Sequence, residues 1–179
     1  MTTQDVFYLV MIVISGLAIG VGVMFPALAQ ARAAARAMDA MARQPDQSAA
    51  ISRNLYIGLA MIESQALYVL IVVLIILFAN PLSGHVPDAV AKGGAALWFL
   101  IGSGVAAAVS IALGTMLSSF GQGRVTAASF DAVAEQPAAA NRVSTTLYIS
   151  LAFLESLALY ALIVSLVLLF VNPLLSEVV

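Results

Sequence analysis

Ile57-Gly58-Leu59-Ala60-Met61-Ile62-Glu63-Ser64 and Ile149-Ser150-Leu151-Ala152-Phe153-Leu154-Glu155-Ser156 decide the reading of this chain. Each places one glutamate inside a long apolar run, and the two glutamates stand 92 positions apart. A carboxylate at bilayer depth costs about 2.5–3.5 kcal/mol on insertion scales, so it marks a functional site by default. The same costly group at the same place in two units argues against accident. The simplest use of such a group is to hold and release a small cation.

Around these segments, four apolar stretches exceed the roughly 18 residues a membrane-spanning helix needs. They cover approximately 6–28, 55–79, 95–120 and 147–171. The chain is 63% hydrophobic and 9% charged, against about 25% charged in soluble domains. Almost all of it is therefore membrane, which excludes a soluble catalytic domain. It has no cysteine, so disulfides and thiolate metal sites are excluded. The first span lacks a basic lead-in and is too long for the apolar part of a secretory signal. It reads as a retained helix.

The offset of 92 runs through both halves. Gln30 pairs with Gln122, Arg32 with Arg124, Asp39 with Asp131, Pro45 with Pro137, Tyr68 with Tyr160 and Pro81 with Pro173. Such self-similarity is sought before any fold is assigned. Each unit is one helical hairpin. A long first helix leaves the membrane through a small-residue segment, 31–42 or 123–134. A polar turn follows, Arg43-Gln44-Pro45-Asp46 or Glu135-Gln136-Pro137-Ala138, whose proline suits a helix stop or a first turn. The second helix runs from about Ser48 to Ala79, its copy from about Ala140 to Val171. Asn80-Pro81 and Asn172-Pro173 end them. The expected fold is an all-α membrane protein of four transmembrane helices: a hairpin at 1–84, a linker at 85–94 and a second hairpin at 95–179.

Orientation follows from the basic residues. Arg32, Arg36, Arg43, Arg53, Arg124 and Arg142 lie on the side of the polar turns, and Lys92 lies opposite. The positive-inside rule puts both turns in the cytoplasm and both termini across the membrane. Two spans per unit give the repeats one orientation, unlike the inverted repeats of many secondary transporters.

Gln30 precedes Pro45 by 15 residues and Glu63 follows it by 18. At 1.5 Å per residue these paths are roughly 22 and 27 Å, so antiparallel helices bring the pair to similar depth. Gln122 and Glu155 repeat the arrangement. An amide oxygen, a carboxylate and the hydroxyl of Ser64 or Ser156 are hard oxygen ligands, suited to a monovalent or hard cation. Tyr68 lies four residues after Ser64 on the same helix face. Its phenol is placed to hold a carboxylate by a hydrogen bond.

Other features have plainer readings. A buried Gln or Ser also serves as interhelical glue, and the stripe of Gly16, Ala18, Gly20 and Gly22 reads as close helix packing. Gly102, Gly104 and Gly114 partly echo it. Pro26, Ser118 in the copy, reads as a bend in the first helix. Tyr8 and Trp98 read as interface anchors, Arg32 and Arg36 likewise. His85 reads as solvated, and the aliphatic run 69–78 as lipid- or neighbour-facing surface.

The set Ala42-Arg43-Gln44-Pro45-Asp46, Gly58-Leu59-Ala60-Met61-Ile62-Glu63-Ser64, Tyr68 and Leu77-Phe78-Ala79-Asn80-Pro81 closely resembles the c subunit, or rotor-ring proteolipid, of F-type rotary ATPases. The second half matches through Gly121-Gln122-Gly123-Arg124, Glu155-Ser156, Tyr160 and Asn172-Pro173. Met61-Ile62-Glu63-Ser64 is also similar to the N-type, sodium-pumping branch. The resemblance implies a homo-oligomeric ring in the lipid bilayer of the cell inner membrane, first helices inside and second helices outside. It implies one ion per carboxylate, exchanged at the arginine-bearing a subunit of the stator. Glu63 and Glu155 would bind the ion, and be its metal ligands were it sodium. Gln30, Gln122, Ser64 and Ser156 would be co-ligands, and Tyr68 and Tyr160 would orient the carboxylates. Each site would straddle neighbouring hairpins. Arg43, Gln44, Pro45, Gln136 and Pro137 would meet the central-stalk subunits. No cofactor beyond the transported Na+ or H+ and no nucleic-acid partner is implied.

The chain departs from that pattern in four ways. Most bacterial members are single hairpins, and fused V-type hairpins usually lose one carboxylate, whereas this chain keeps both. Each chain should carry two ions, and a ring an even number of hairpins. Arg43 becomes Glu135 in the second turn. The first helices carry fewer glycines than usual. Gln65 follows Ser64 where Leu157 follows Ser156, a position at which some sodium-binding relatives carry a hydroxyl that helps hold water, so the two sites need not be equivalent.

Mechanistically, a bare carboxylate facing lipid is expensive and a neutralised one tolerable. Such a ring turns only with its seats filled, and each charge crossing yields about 2.3 kcal/mol per 100 mV. No phosphate-binding loop is present, so nucleotide chemistry would lie in partner subunits, with this chain a non-catalytic part of the ATPase. The serines favour sodium over the proton. The alternatives are a V-type-like rotor proteolipid, a small four-helix cation-coupled secondary transporter and an uncoupled pore-forming proteolipid.

Overall fold

The computed structural model describes residues 2–178, so the outermost residue of each expected hairpin, 1 and 179, lies outside the description. The described chain is helical almost throughout. Helix α1 spans Thr3–Arg43, and a 3-10 turn at Pro45–Gln47 leads into α2, Ser48–Phe78. A second 3-10 turn at Pro81–His85 and the short α3, Val86–Ala91, form the connector. Helix α4, Gly94–Glu135, a turn at Pro137–Ala139 and α5, Ala140–Phe170, make the second hairpin, and α6, Leu175–Val178, follows. Four of these helices are long and apolar enough to cross a membrane. The 41 residues of α1 reach about 62 Å at 1.5 Å each. That is twice a hydrocarbon core of about 30 Å, so the helix projects well beyond the membrane.

Local chemistry sets the boundaries. Thr2 and Asp5 form a capping box at the start of α1, with Asp5 N donating to Thr2 Oγ1 at 3.3 Å. Gln44 leaves the helical region at φ −137°, ψ 77°, and Gln136 does so at −133°, 77°. Each precedes a proline, whose ring excludes its predecessor from the helical region. Asn80 Oδ1 accepts from Leu82 N and Asn172 Oδ1 from Leu174 N, both at 3.0 Å, closing equivalent turns after α2 and α5. Gly93, at φ 107°, turns the connector into α4 in a conformation that a side chain would strain.

Helices α1 and α4 pack along their length, and α2 and α5 flank them. At Gly123 an added Cβ would lie 2.7 Å from Ala29 Cβ. Such small residues let membrane helices approach. The glycine stripe itself divides. Gly22 abuts Val69, whereas Gly16 and Gly20 have open space around them. The aliphatic run 69–78 is only partly the surface expected. Val69, Val72, Val73 and Ile76 are buried, while Leu70, Ile71, Leu74, Leu77 and Phe78 are exposed. In an all-apolar run composition cannot say which face packs, but helical spacing divides it.

Two apolar cores result. One gathers Phe7, Met11, Val69, Val72, Leu82, Leu100 and Ile111, the other Ala33, Ala37, Ala40, Ile51, Phe130 and Val133 near the polar turns. Along α2 and α4 the buried polar residues Gln65, Ser118, Ser119 and Gln122 fall between these cores.

Candidate ion-binding site

Glu155 on α5 sits where α2, α4 and α5 meet. Its Oε1 accepts from Ser64 Oγ at 2.9 Å and from the Tyr68 hydroxyl at 2.5 Å. Its Oε2 accepts from Gln65 Nε2 at 2.6 Å and from Gln122 Nε2 at 2.9 Å. Two donors on each oxygen fill the four lone-pair positions of a carboxylate. Ser64 and Tyr68 are one helical turn apart on α2, which brings both to the same oxygen. Beside the glutamate, Ser118 Oγ donates to Leu154 O at 2.5 Å and ties α4 to α5.

The acceptors left over matter as much as the donors used. Gln65 Oε1 and Gln122 Oε1 are buried and take no hydrogen bond among the described residues, a state that costs about 1–3 kcal/mol each. Both amides belong to residues wholly buried beside the carboxylate. A half-turn of either amide exchanges its donor for an acceptor. Ser64 Oγ also lies 2.7 Å from Met61 O, and its single proton serves either that carbonyl or Glu155. With the proton on Met61 O, the hydroxyl offers lone pairs to the site. Side-chain rotation alone can therefore turn this ring of donors around an anion into a ring of oxygens that suits a small cation.

Glu63 stands differently. Among the described residues it takes one hydrogen bond, from Gln30 Nε2 at 2.7 Å, and it is exposed. The inferred shared depth of Gln30 and Glu63 therefore corresponds to direct contact. Ser64 and Tyr68 do not serve the glutamate next to them in sequence; they cross to Glu155 on the other hairpin. Ser156 donates back to Phe153 O at 2.8 Å, and Tyr160 is exposed, so neither meets a carboxylate within one chain. They lie on the free edge of α5, as Ser64 and Tyr68 would on α2 without the second hairpin.

Gln65 enters the sequence reading only as a departure from its copy Leu157, not as a partner of the carboxylate. The available signal is its place as a third consecutive polar residue, after Glu63 and Ser64, at membrane depth. In the turns, Arg43 pairs with Asp131 across the hairpin boundary, and Glu135 is exposed. Arg32 and Arg124 each lie 5.9 Å from the Phe120 ring, one from each hairpin. His85, Tyr8 and Trp98 are exposed.

The family model for the ATP synthase C subunit matches this chain twice, over residues 13–76 and 105–168. The chain belongs to the ATP synthase C subunit family. Its relatives include c subunit 2 of the ATP synthase of Cereibacter sphaeroides, 45% identical over 82 residues that span 46% of this chain and 99% of that one. The ATP synthase c subunit 1 of Pelobacter propionicus is 46% identical over 67 residues, 37% of this chain and 74% of the relative. The ATP synthase c subunit of Dictyoglomus turgidum is 40% identical over 80 residues, 45% and 94% of the two chains. One hairpin's length of this chain thus spans about three quarters or more of each of these relatives. The chain is a multi-pass, c-type subunit with two family hairpins in tandem, and the Glu155 constellation draws side chains from both.

Proposed function

We propose that this subunit is a rotor-ring element of an ATP synthase or ATPase, carrying one monovalent cation on each of Glu63 and Glu155, with sodium as the cargo. The observation that carries the reading is the Glu155 constellation, in which four side chains from two helices converge on one carboxylate. Two buried amide oxygens beside it lack partners. A bound proton satisfies at most one of these oxygens, through the acid hydroxyl, whereas a sodium ion takes both hard donors directly.

The cycle follows from solvation. A carboxylate whose charge is cancelled crosses lipid at tolerable cost, and a bare one does not. The ring therefore turns through lipid with its seats filled and releases cargo where a stator arginine substitutes for the cation. ATP chemistry lies in partner subunits. The arginines of the turn side favour a cytoplasmic position for the turns.

The test uses the purified ring and dicyclohexylcarbodiimide, which labels a protonated membrane carboxyl. Labelling at Glu63 and Glu155 that slows as sodium is added supports the reading. Labelling indifferent to sodium, at a pH where it proceeds, leaves the proton as cargo. A detergent particle with the mass of one or two chains would instead favour a four-helix secondary transporter.

A further inference from the structure

We infer that the two ion seats of one chain are chemically different, and that Gln65 makes the difference: the Glu155 seat binds sodium more tightly, by about tenfold or more, than the Glu63 seat. The inference rests on the reading of both glutamates as cation seats.

The Glu155 seat is complete inside one chain. Its walls are Gln122 on α4 and Ser64, Gln65 and Tyr68 on α2. Among the described residues the Glu63 seat has only its own Gln30, and its second wall must come from the α5 edge of the next chain. The offset of 92 fixes what that edge offers: Ser156 for Ser64, Tyr160 for Tyr68, and Leu157 for Gln65. All three lie on the outer part of α5, with Leu157 and Tyr160 exposed. The serine and tyrosine are reproduced and the buried amide is not.

The missing amide changes the ion chemistry. Gln65 is wholly buried, 2.6 Å from Glu155 Oε2, with its own Oε1 unpartnered. It supplies either a hydrogen to a bare carboxylate or an oxygen to a cation. A leucine does neither. The Glu63 seat thus has one hard ligand fewer for sodium, while a proton needs only the carboxylate and one acceptor. A closed ring of these chains alternates the two kinds of seat around its rim. At limiting sodium, the Glu155 seats fill with sodium while the Glu63 seats fill with protons.

The experiment is a sodium titration of dicyclohexylcarbodiimide labelling in the intact ring, with Glu63 and Glu155 resolved by mass spectrometry of their peptides. The expected result is a protection midpoint at Glu155 about tenfold or more below that at Glu63. Gln65→Leu should raise the Glu155 midpoint to the Glu63 value, and Leu157→Gln should lower the Glu63 midpoint. The wild-type comparison stands even where a variant ring fails to assemble. Equal midpoints at the two glutamates would overturn the asymmetry and leave the sodium reading intact. Sodium protection at neither would overturn both.

Discussion

Gln65 on α2 donates to Glu155 on α5 across the boundary between the two hairpins, 2.6 Å from amide nitrogen to carboxylate oxygen. The covalent duplication therefore does more than tether two copies of a hairpin. It gathers four donors around Glu155 within a single polypeptide and leaves Glu63 with Gln30 alone among the described residues.

That division predicts how the two carboxylates respond to removal. Glu155→Gln and Glu63→Gln should each cut ATP-driven cation uptake in proteoliposomes by more than about tenfold. If the ring turns as proposed, every seat passes the stator, and one defective kind halts the whole ring. The labelling patterns should differ, with Glu63 alone modified in the first variant and Glu155 alone in the second. Retained coupling in either single variant would show that its glutamate carries no cargo.

Tyr68→Phe separates seats by geometry rather than sequence. The phenol donates to Glu155 Oε1 at 2.5 Å, and hydrogen bonds to charged groups contribute about 1.5–3 kcal/mol. Sodium protection of Glu155 should weaken by about tenfold or more, with Glu63 little changed although it lies closer in sequence. Tyr160→Phe should do the reverse in the assembled ring. A Tyr68→Phe effect confined to Glu63 would contradict the crossing of α2 side chains to α5.

Helix packing offers a third prediction. A Cβ on Gly123 would sit 2.7 Å from Ala29 Cβ and 3.0 Å from its Cα, whereas one on Gly104 would meet the Sδ and Cε of Met11. Backbone cannot yield as a flexible thioether does. Gly123→Ala should destabilise by about 1–3 kcal/mol through overpacking, lowering the temperature at which the ring dissociates in detergent. Gly104→Ala should shift it much less. Similar shifts for both would mean α1 and α4 are not held as closely as described.

The fold is legible in the sequence because its signals are long and redundant. Apolar runs over four spans, Gln-Pro at both turns and Asn-Pro after both second helices specify two hairpins before any packing is known. The carboxylates are legible because charge at membrane depth is costly. Their partners are harder to read. Nothing local tells that Ser64 reaches Glu155 and not Glu63, since which helix edge meets which neighbour is a tertiary property. Gln65 shows in the sequence as a break in the repeat, opposite Leu157, but only the packing of α2 against α5 makes it a partner of Glu155. The burial of Val69, Val72, Val73 and Ile76 is hidden for a different reason. In an all-apolar segment hydrophobicity has no contrast, so the packed face emerges only once α1 and α4 are in place.

The charge pair at the turns gives the last prediction. Arg43 on α1 and Asp131 on α4 form an ion pair, with both side chains partly exposed to solvent. Such surface pairs contribute about 0–1 kcal/mol and are screened by salt. Asp131→Asn should therefore change ring stability by less than about 1 kcal/mol, and the change should shrink as salt is raised. Arg43 also belongs to the turn expected to meet the stalk, and its copy is Glu135. If the first turn carries that contact, Arg43→Ala should reduce ATP-driven transport while leaving an isolated ring as stable as Asp131→Asn does. Glu135→Ala should have the smaller effect on transport. Equal losses from Arg43→Ala and Glu135→Ala, with both rings intact, would mean the stalk meets the two turns alike despite their opposite charge.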